Sequence, residues 1–352
     1  MIVIFCSGII SSLWIRFENP IFSCTFACHN FRSMNTQYKN QPSIVLENEI
    51  LRAEFLPNTG GKLVSLIGKR TGYEYLVQRP NTIYREQPFA GVYVDGECSG
   101  FDDMFPTIDA CLCENAPWQG VELADHGEVW SLPWDVTFAE TNAVTMAVHG
   151  VRFPYRLEKR IRLTENTLLP SGGRPGGGLQ YHYALRNLSP FDFDYLWAGH
   201  LMINLEEGAK VNVPDDCTEM VTVLSNSGLN FGDVHRWPYL KDATGATYRA
   251  DRVRSKESKG FEKYYFTHPL KQGWCGIEYP SQQKKLQISF SAENVPYLGI
   301  LMNEGGWDNL YNIIIEPCSV CFDRPDVAKK QGQCSVLRGK STVEWMMEIS
   351  IE

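Results

Sequence analysis

The 352-residue chain reads as an all-β protein, a large antiparallel β-sandwich, on three observations. Short apolar runs with strand-like alternation recur from Ser43 to the end; Gly, Pro, Asn and Asp punctuate them; and no stretch keeps a 3.6-residue apolar period for longer than about two turns. No segment between residues 44 and 352 has the composition of a linker, so a single domain is expected there.

The elements follow in chain order. Residues 2–15 form an apolar run like that of a signal peptide. No Lys or Arg precedes them, and the run is short for a membrane span. Residues 1–33 are therefore expected to be a disordered or non-native extension, with a secretory signal as the alternative. A hairpin is expected next: residues 50–56 alternate, Asn58-Thr59-Gly60-Gly61 turns, and 62–67 runs back. Further strands are expected at 134–138, 143–149, 156–163, 181–188, 195–205, 285–291, 297–302, 311–316 and 341–351. Residues 169–180 are too Gly-rich to hold a strand and are expected to be a flexible insertion in a hairpin; no GK[ST] follows, so this is not a P-loop.

Composition narrows the partners. A net charge of −8 without a Lys/Arg stripe argues against nucleic acid and points to a small or neutral ligand. No membrane partner is expected. Eleven cysteines is an odd number, and their scatter through apolar runs suits reduced thiols in a cytoplasmic protein. Cys318-Ser319-Val320-Cys321 is a lone CxxC with no second pair at zinc-finger spacing, so no metal site is assigned to it. Sixteen Tyr, 18 Phe and 9 Trp are enough to fill a core and also to line a pocket for sugars, whose C–H faces stack on rings.

Two apolar strands each carry one proton-transferring side chain. In residues 312–317, period-2 alternation puts Asn312, Ile314 and Glu316 on one face and Ile313 and Ile315 on the other, and Pro317 marks the strand end. Partial burial there raises a carboxyl pKa toward the range of a useful base. His200 sits in a run apolar on both faces, beside Gly199, a residue that in a strand often marks close approach of a ligand or another backbone. Asp125-His126-Gly127-Glu128 is a polar knot suited to a loop offering several hydrogen bonds, and Gly305-Gly306-Trp307-Asp308 joins a tight turn, a stacking ring and a carboxylate just ahead of the Glu316 strand. Each of these has an ordinary structural reading: a solvated strand-end carboxylate, a core histidine, a charged turn.

Taken together and in order, these pieces resemble the aldose 1-epimerase (galactose mutarotase-like) family over roughly residues 44–352: the opening hairpin, Asp125 to Trp130, His200 in its strand, Gly305-Gly306-Trp307, and Ile315-Glu316-Pro317. The resemblance implies the supersandwich fold of that family and interconversion of the α and β anomers of a free monosaccharide, with no cofactor or metal. It makes Glu316 the general base toward the C1 hydroxyl, His200 the general acid toward the ring oxygen, and His126 a substrate-binding histidine. Trp307 and Asp308 join it as substrate-binding candidates. Well-studied members carry an arginine in the segment that here spans residues 101–108, where none stands, and the family's substrate-binding aspartate has two candidates, Asp242 and Asp251. The competing readings are a non-catalytic carbohydrate-binding protein and a glycoside hydrolase pairing Glu316 with Asp308.

Overall fold

A computed structural model describes residues 36–79, 83–167, 176–281 and 284–352. The expected extension at 1–33 lies outside the described residues. The rest is built on two large antiparallel sheets. The first places Phe101–Met104, Ala198–Asn204, Tyr311–Cys318, Tyr297–Glu304, Phe261–Phe266 and Glu219–Ser225 side by side in that order, flanked by the N-terminal strands. The second runs from Lys210–Asn212 through Gly273–Glu278, Lys285–Phe290, Thr342–Ile351, Gly176–Asn187 and Tyr155–Thr167 to Ala143–His149 and Asp135–Ala139. Side chains from one face of each sheet share a core, with Phe101 edge-on to Tyr181 and Phe105 edge-on to Tyr155. This is the expected all-β sandwich.

The hairpin at 50–67 is observed as Leu51–Leu56 paired with Lys62–Gly68. Gly60 at its turn has φ +67°, and a Cβ there would lie 2.3 Å from the Trp130 carbonyl oxygen. Only glycine fits. The Gly-rich stretch departs from expectation at its end. Gly176, Gly177 and Gly178 are strand residues, paired on one side with the 164–167 segment and on the other with Ile351 and Ser350. Glycine suits the place because a Cβ on Gly176 would meet the Ile351 carbonyl oxygen at 2.0 Å, so the two backbones close only without one. The strands that the sequence did not reveal include three that build the first sheet: Phe101–Met104, Glu219–Ser225 and Phe261–Phe266.

An ion pair spans the inner faces of the sandwich. Lys159 donates to Asp103 Oδ2 at 2.7 Å, the Trp197 indole donates to Oδ1 at 3.1 Å, and the ammonium lies 4.3 Å from the Trp134 ring centre. Asp103 and its neighbour Asp102 point to opposite faces of the strand, so Asp102 emerges on the outer side of the first sheet. No helix among the described residues is long and apolar enough to cross a membrane.

Candidate active site

The outer face of the first sheet carries a cavity of about 340 Å³, within the size range of small-ligand sites. Strand alternation builds its floor. Leu201, Ile203, Ile313 and Ile315 belong to the core between the sheets, while His200, Met202, Asn312, Ile314 and Glu316 point into the cavity. Asn312, Ile314 and Glu316 thus share a face, as the alternation predicts. Loops supply the walls: Tyr93 and Val94 from a 3-10 turn, Ile108 and His126 from the connection after Phe101–Met104, Trp307 from the turn before Tyr311–Cys318, and Asp323 after it.

Glu316 and His200 meet across the floor, Oε1 to Nε2 at 3.8 Å, and both are buried, at 0% and 4% exposure. Glu316 divides its oxygens between two tasks. Oε2 accepts from Lys263 Nζ at 2.8 Å and from the Tyr265 hydroxyl at 3.1 Å, while Oε1 is buried with no hydrogen-bond partner. An orphaned carboxylate oxygen costs free energy unless something fills the space before it, and here that space is the cavity. Lys263 and Tyr265 also bind Asp323 Oδ1, at 2.7 Å each, so two carboxylates share one ammonium and one hydroxyl. Gly299 makes room for this cluster, since a Cβ there would lie 2.8 Å from the Tyr265 ring and 3.0 Å from Glu316 Oε2.

Burial pushes the Glu316 pKa up, the Asp323 charge adds to the rise, and the Lys263 ammonium and hydrogen bonds restrain it. The His200 pKa is held well below the usual histidine value by burial first, then by the charges of His126, Lys263 and Lys62. Burial would lower the Lys263 pKa, but Asp323 and Glu316 outweigh it and keep the side chain charged. Burial thus shifts both members of the Glu316–His200 pair toward their neutral forms, and Lys263 opposes that shift at Glu316.

A chain of contacts fixes the His200 ring from behind. Its Nδ1 faces the Tyr93 hydroxyl at 3.4 Å, a long contact; Tyr93 donates to Asp102 Oδ2 at 2.8 Å; and Lys62, which also pairs with Glu97, donates to the same oxygen at 2.6 Å. With the Tyr93 hydroxyl donating to Asp102, its oxygen is left to accept from His200 Nδ1–H, and Nε2 is then the acceptor facing Glu316. Asp102, cornered by burial and Glu97 and relieved by Lys62, has its pKa pushed up to about 6.

His126 lies beside this chain, stacked on Tyr93 with ring centres 4.3 Å apart. Asp125 orients it, accepting from Nδ1 at 3.0 Å with one oxygen and from the Tyr93 backbone N–H at 2.7 Å with the other. Glu128, the knot's other carboxylate, turns away and accepts from the backbone N–H groups of Val151 and Arg152. The knot thus presents one histidine to the cavity and not several donors. Gly127 lets the loop close, because its φ is +73° and a Cβ would meet the Phe105 carbonyl oxygen at 2.0 Å. Gly127→Ala is expected to lower stability by at least about 2 kcal/mol, seen as a reduced urea midpoint.

The cavity gathers Glu316, His200, His126 and Trp307, but not Asp308. Asp308 is half-exposed and paired with Arg79. Asp242 caps its own turn, accepting from the backbone N–H groups of Thr244 and Ala246, and Asp251 takes both arms of Arg249. Neither lines the cavity; the aspartate beside Glu316 is Asp323. Gly199 does not face a ligand, since a Cβ on it would press on the Phe101 ring at 3.1 Å. The segment without an arginine contributes Asp102, and the cation of the site is Lys263. Cys318 and Cys321 are buried free thiols.

No protein-family model and no curated protein sequence matches the chain. Solved structures match its fold. A galactose mutarotase related enzyme from Lactobacillus acidophilus superposes with a TM-score of 0.61 at 13% identity, covering 88% of this chain and 97% of its own. A galactose mutarotase-like protein from Lactobacillus casei gives 0.60 at 17% identity, with 88% and 100% covered. A candidate aldose 1-epimerase from Klebsiella pneumoniae gives 0.62 at 14% identity, with 90% and 82% covered. The chain has the galactose mutarotase-like sandwich fold.

Proposed function

We propose that this chain is an aldose 1-epimerase in which Glu316 and His200 pass one proton each way across a sugar ring. The observation that carries the reading is the orphaned Glu316 Oε1, held 3.8 Å from His200 Nε2 in a cavity that also presents His126. The competent pair carries a single proton. Sugar hydroxyls donating to Oε1 stabilise the carboxylate, and the proton then resides on His200. Glu316 takes the proton of the C1 hydroxyl as His200 Nε2 gives its own to the ring oxygen; the C1–O5 bond breaks and a C1 carbonyl forms. Rotation about C1–C2 presents the other carbonyl face, and the transfers run in reverse to close the opposite anomer. Proton transfer is the whole of the chemistry, and this cavity supplies both partners.

Glycoside hydrolysis fits less well. Asp308 lies outside the cavity, and Asp323 is tied to the same ammonium as Glu316 rather than standing across a bond from it. Anomer exchange measured by NMR on free sugars, against release of reducing ends from a disaccharide, separates the two. A smaller test concerns His126: His126→Ala removes one sugar-binding hydrogen bond of about 1 kcal/mol and is expected to raise KM about fivefold with little change in kcat.

A further inference from the structure

The site face of the first sheet is laid out in three cross-strand rows. The first joins Asp102, His200, Glu316, Gly299 and Tyr265. The second joins Met202, Ile314, Leu301 and Lys263, and the third Asn312, Asn303 and Phe261. Two residues of strand separate each row from the next, so the first and third stand about 13 Å apart. Residues from all three line one cavity. A pyranose with its anomeric carbon at Glu316 lies over the aliphatic side chains of the second row, a surface for its C–H face, and ends short of the third.

The third row is nevertheless built as a binding surface. Asn303 is 1% exposed and locked by three hydrogen bonds: it accepts from the Trp307 backbone N–H at 3.1 Å and donates to the Trp307 carbonyl at 3.0 Å and to Asn312 Oδ1 at 3.2 Å. That last bond fixes the amide of Asn312, a residue that is 1% exposed and lines the cavity, and it leaves the Asn312 NH2 group as the side chain's donor. Half-buried Trp307 and Phe261, with ring planes 28° apart, stand beside it. The third row thus has a fixed donor and two aromatic rings. Lys263, the cavity's one lysine among the described residues, is held by two carboxylates, which favours a neutral ligand.

We propose that Asn312, Trp307 and Phe261 form a second sugar subsite, and that the chain binds the reducing end of a neutral disaccharide or longer saccharide with its penultimate residue seated there. The placement of the reducing end rests on the epimerase reading. The test is calorimetry on Glu316→Gln with maltose, cellobiose and lactose against glucose and galactose, beside anomer exchange by the unaltered chain on the same sugars. At least one disaccharide is expected to bind about tenfold or more tightly than its reducing-end monosaccharide, and Trp307→Ala or Asn312→Leu to bring that ratio close to one. Disaccharides that bind no better than monosaccharides, or substitutions that weaken both alike, would overturn the subsite. Preferential disaccharide binding without exchange would keep the subsite and remove the epimerase reading.

Discussion

Glu316→Gln is expected to reduce anomer exchange by roughly 10²–10⁴-fold while leaving sugar affinity within a few-fold of the parent. The amide is nearly isosteric and its oxygen still accepts from Tyr265 and Lys263, so the buried cluster keeps its packing and most of its hydrogen bonds. What is lost is the ability of the atom facing the cavity to take and return a proton. An NMR saturation-transfer rate read beside a calorimetric Kd separates the two effects. Loss of binding together with rate would assign Glu316 a holding role only. An unchanged rate would take it out of the reaction.

Lys263→Met is expected to move the pH–rate profile to higher pH and to cost about 3–5 kcal/mol of stability near neutrality, because it leaves two buried carboxylates without their cation. The sign follows from the shifts. The competent pair holds one proton, so both limbs of its profile belong to the coupled Glu316–His200 pair rather than to either group alone. The Lys263 charge lowers both groups, and without it both rise. The stability loss follows the Glu316 charge: it is smallest where Glu316 is protonated and grows as pH rises through its elevated pKa. Thermal melts at pH 5 and pH 8, with Lys263→Arg as the charge-retaining control, measure this. A profile that stays in place in Lys263→Met, or fails to return in Lys263→Arg, would contradict the electrostatic account.

The sequence exposed what alternation and local chemistry control. The 311–318 strand showed its two faces because Ile313 and Ile315 hold its core side while Asn312, Ile314 and Glu316 mix amide, apolar and acid on the other. His200 stood out as the one ionisable group in an apolar strand. Lys263, Tyr265 and Asp323 went unnoticed for a physical reason: they join Glu316 through strand order and a loop return, not through neighbourhood in the chain. Phe261–Phe266 did carry a signal, a cation between aromatic residues on one strand face, but Glu262 beside it gives the segment the look of a charged surface. Asp308 misled because it follows the ring that lines the cavity; with φ at 48° its turn carries the carboxylate to Arg79 instead. At the end of the Gly-rich stretch, low side-chain content hid strand residues, of which Gly177 and Gly178 pair on both sides.

The most direct measurement is two-dimensional exchange NMR of the α and β anomeric protons of glucose, galactose and maltose with the unaltered chain at neutral pH. The account predicts cross-peaks that grow in proportion to protein concentration and vanish in Glu316→Gln. Exchange at the buffer rate for every sugar that binds would contradict it.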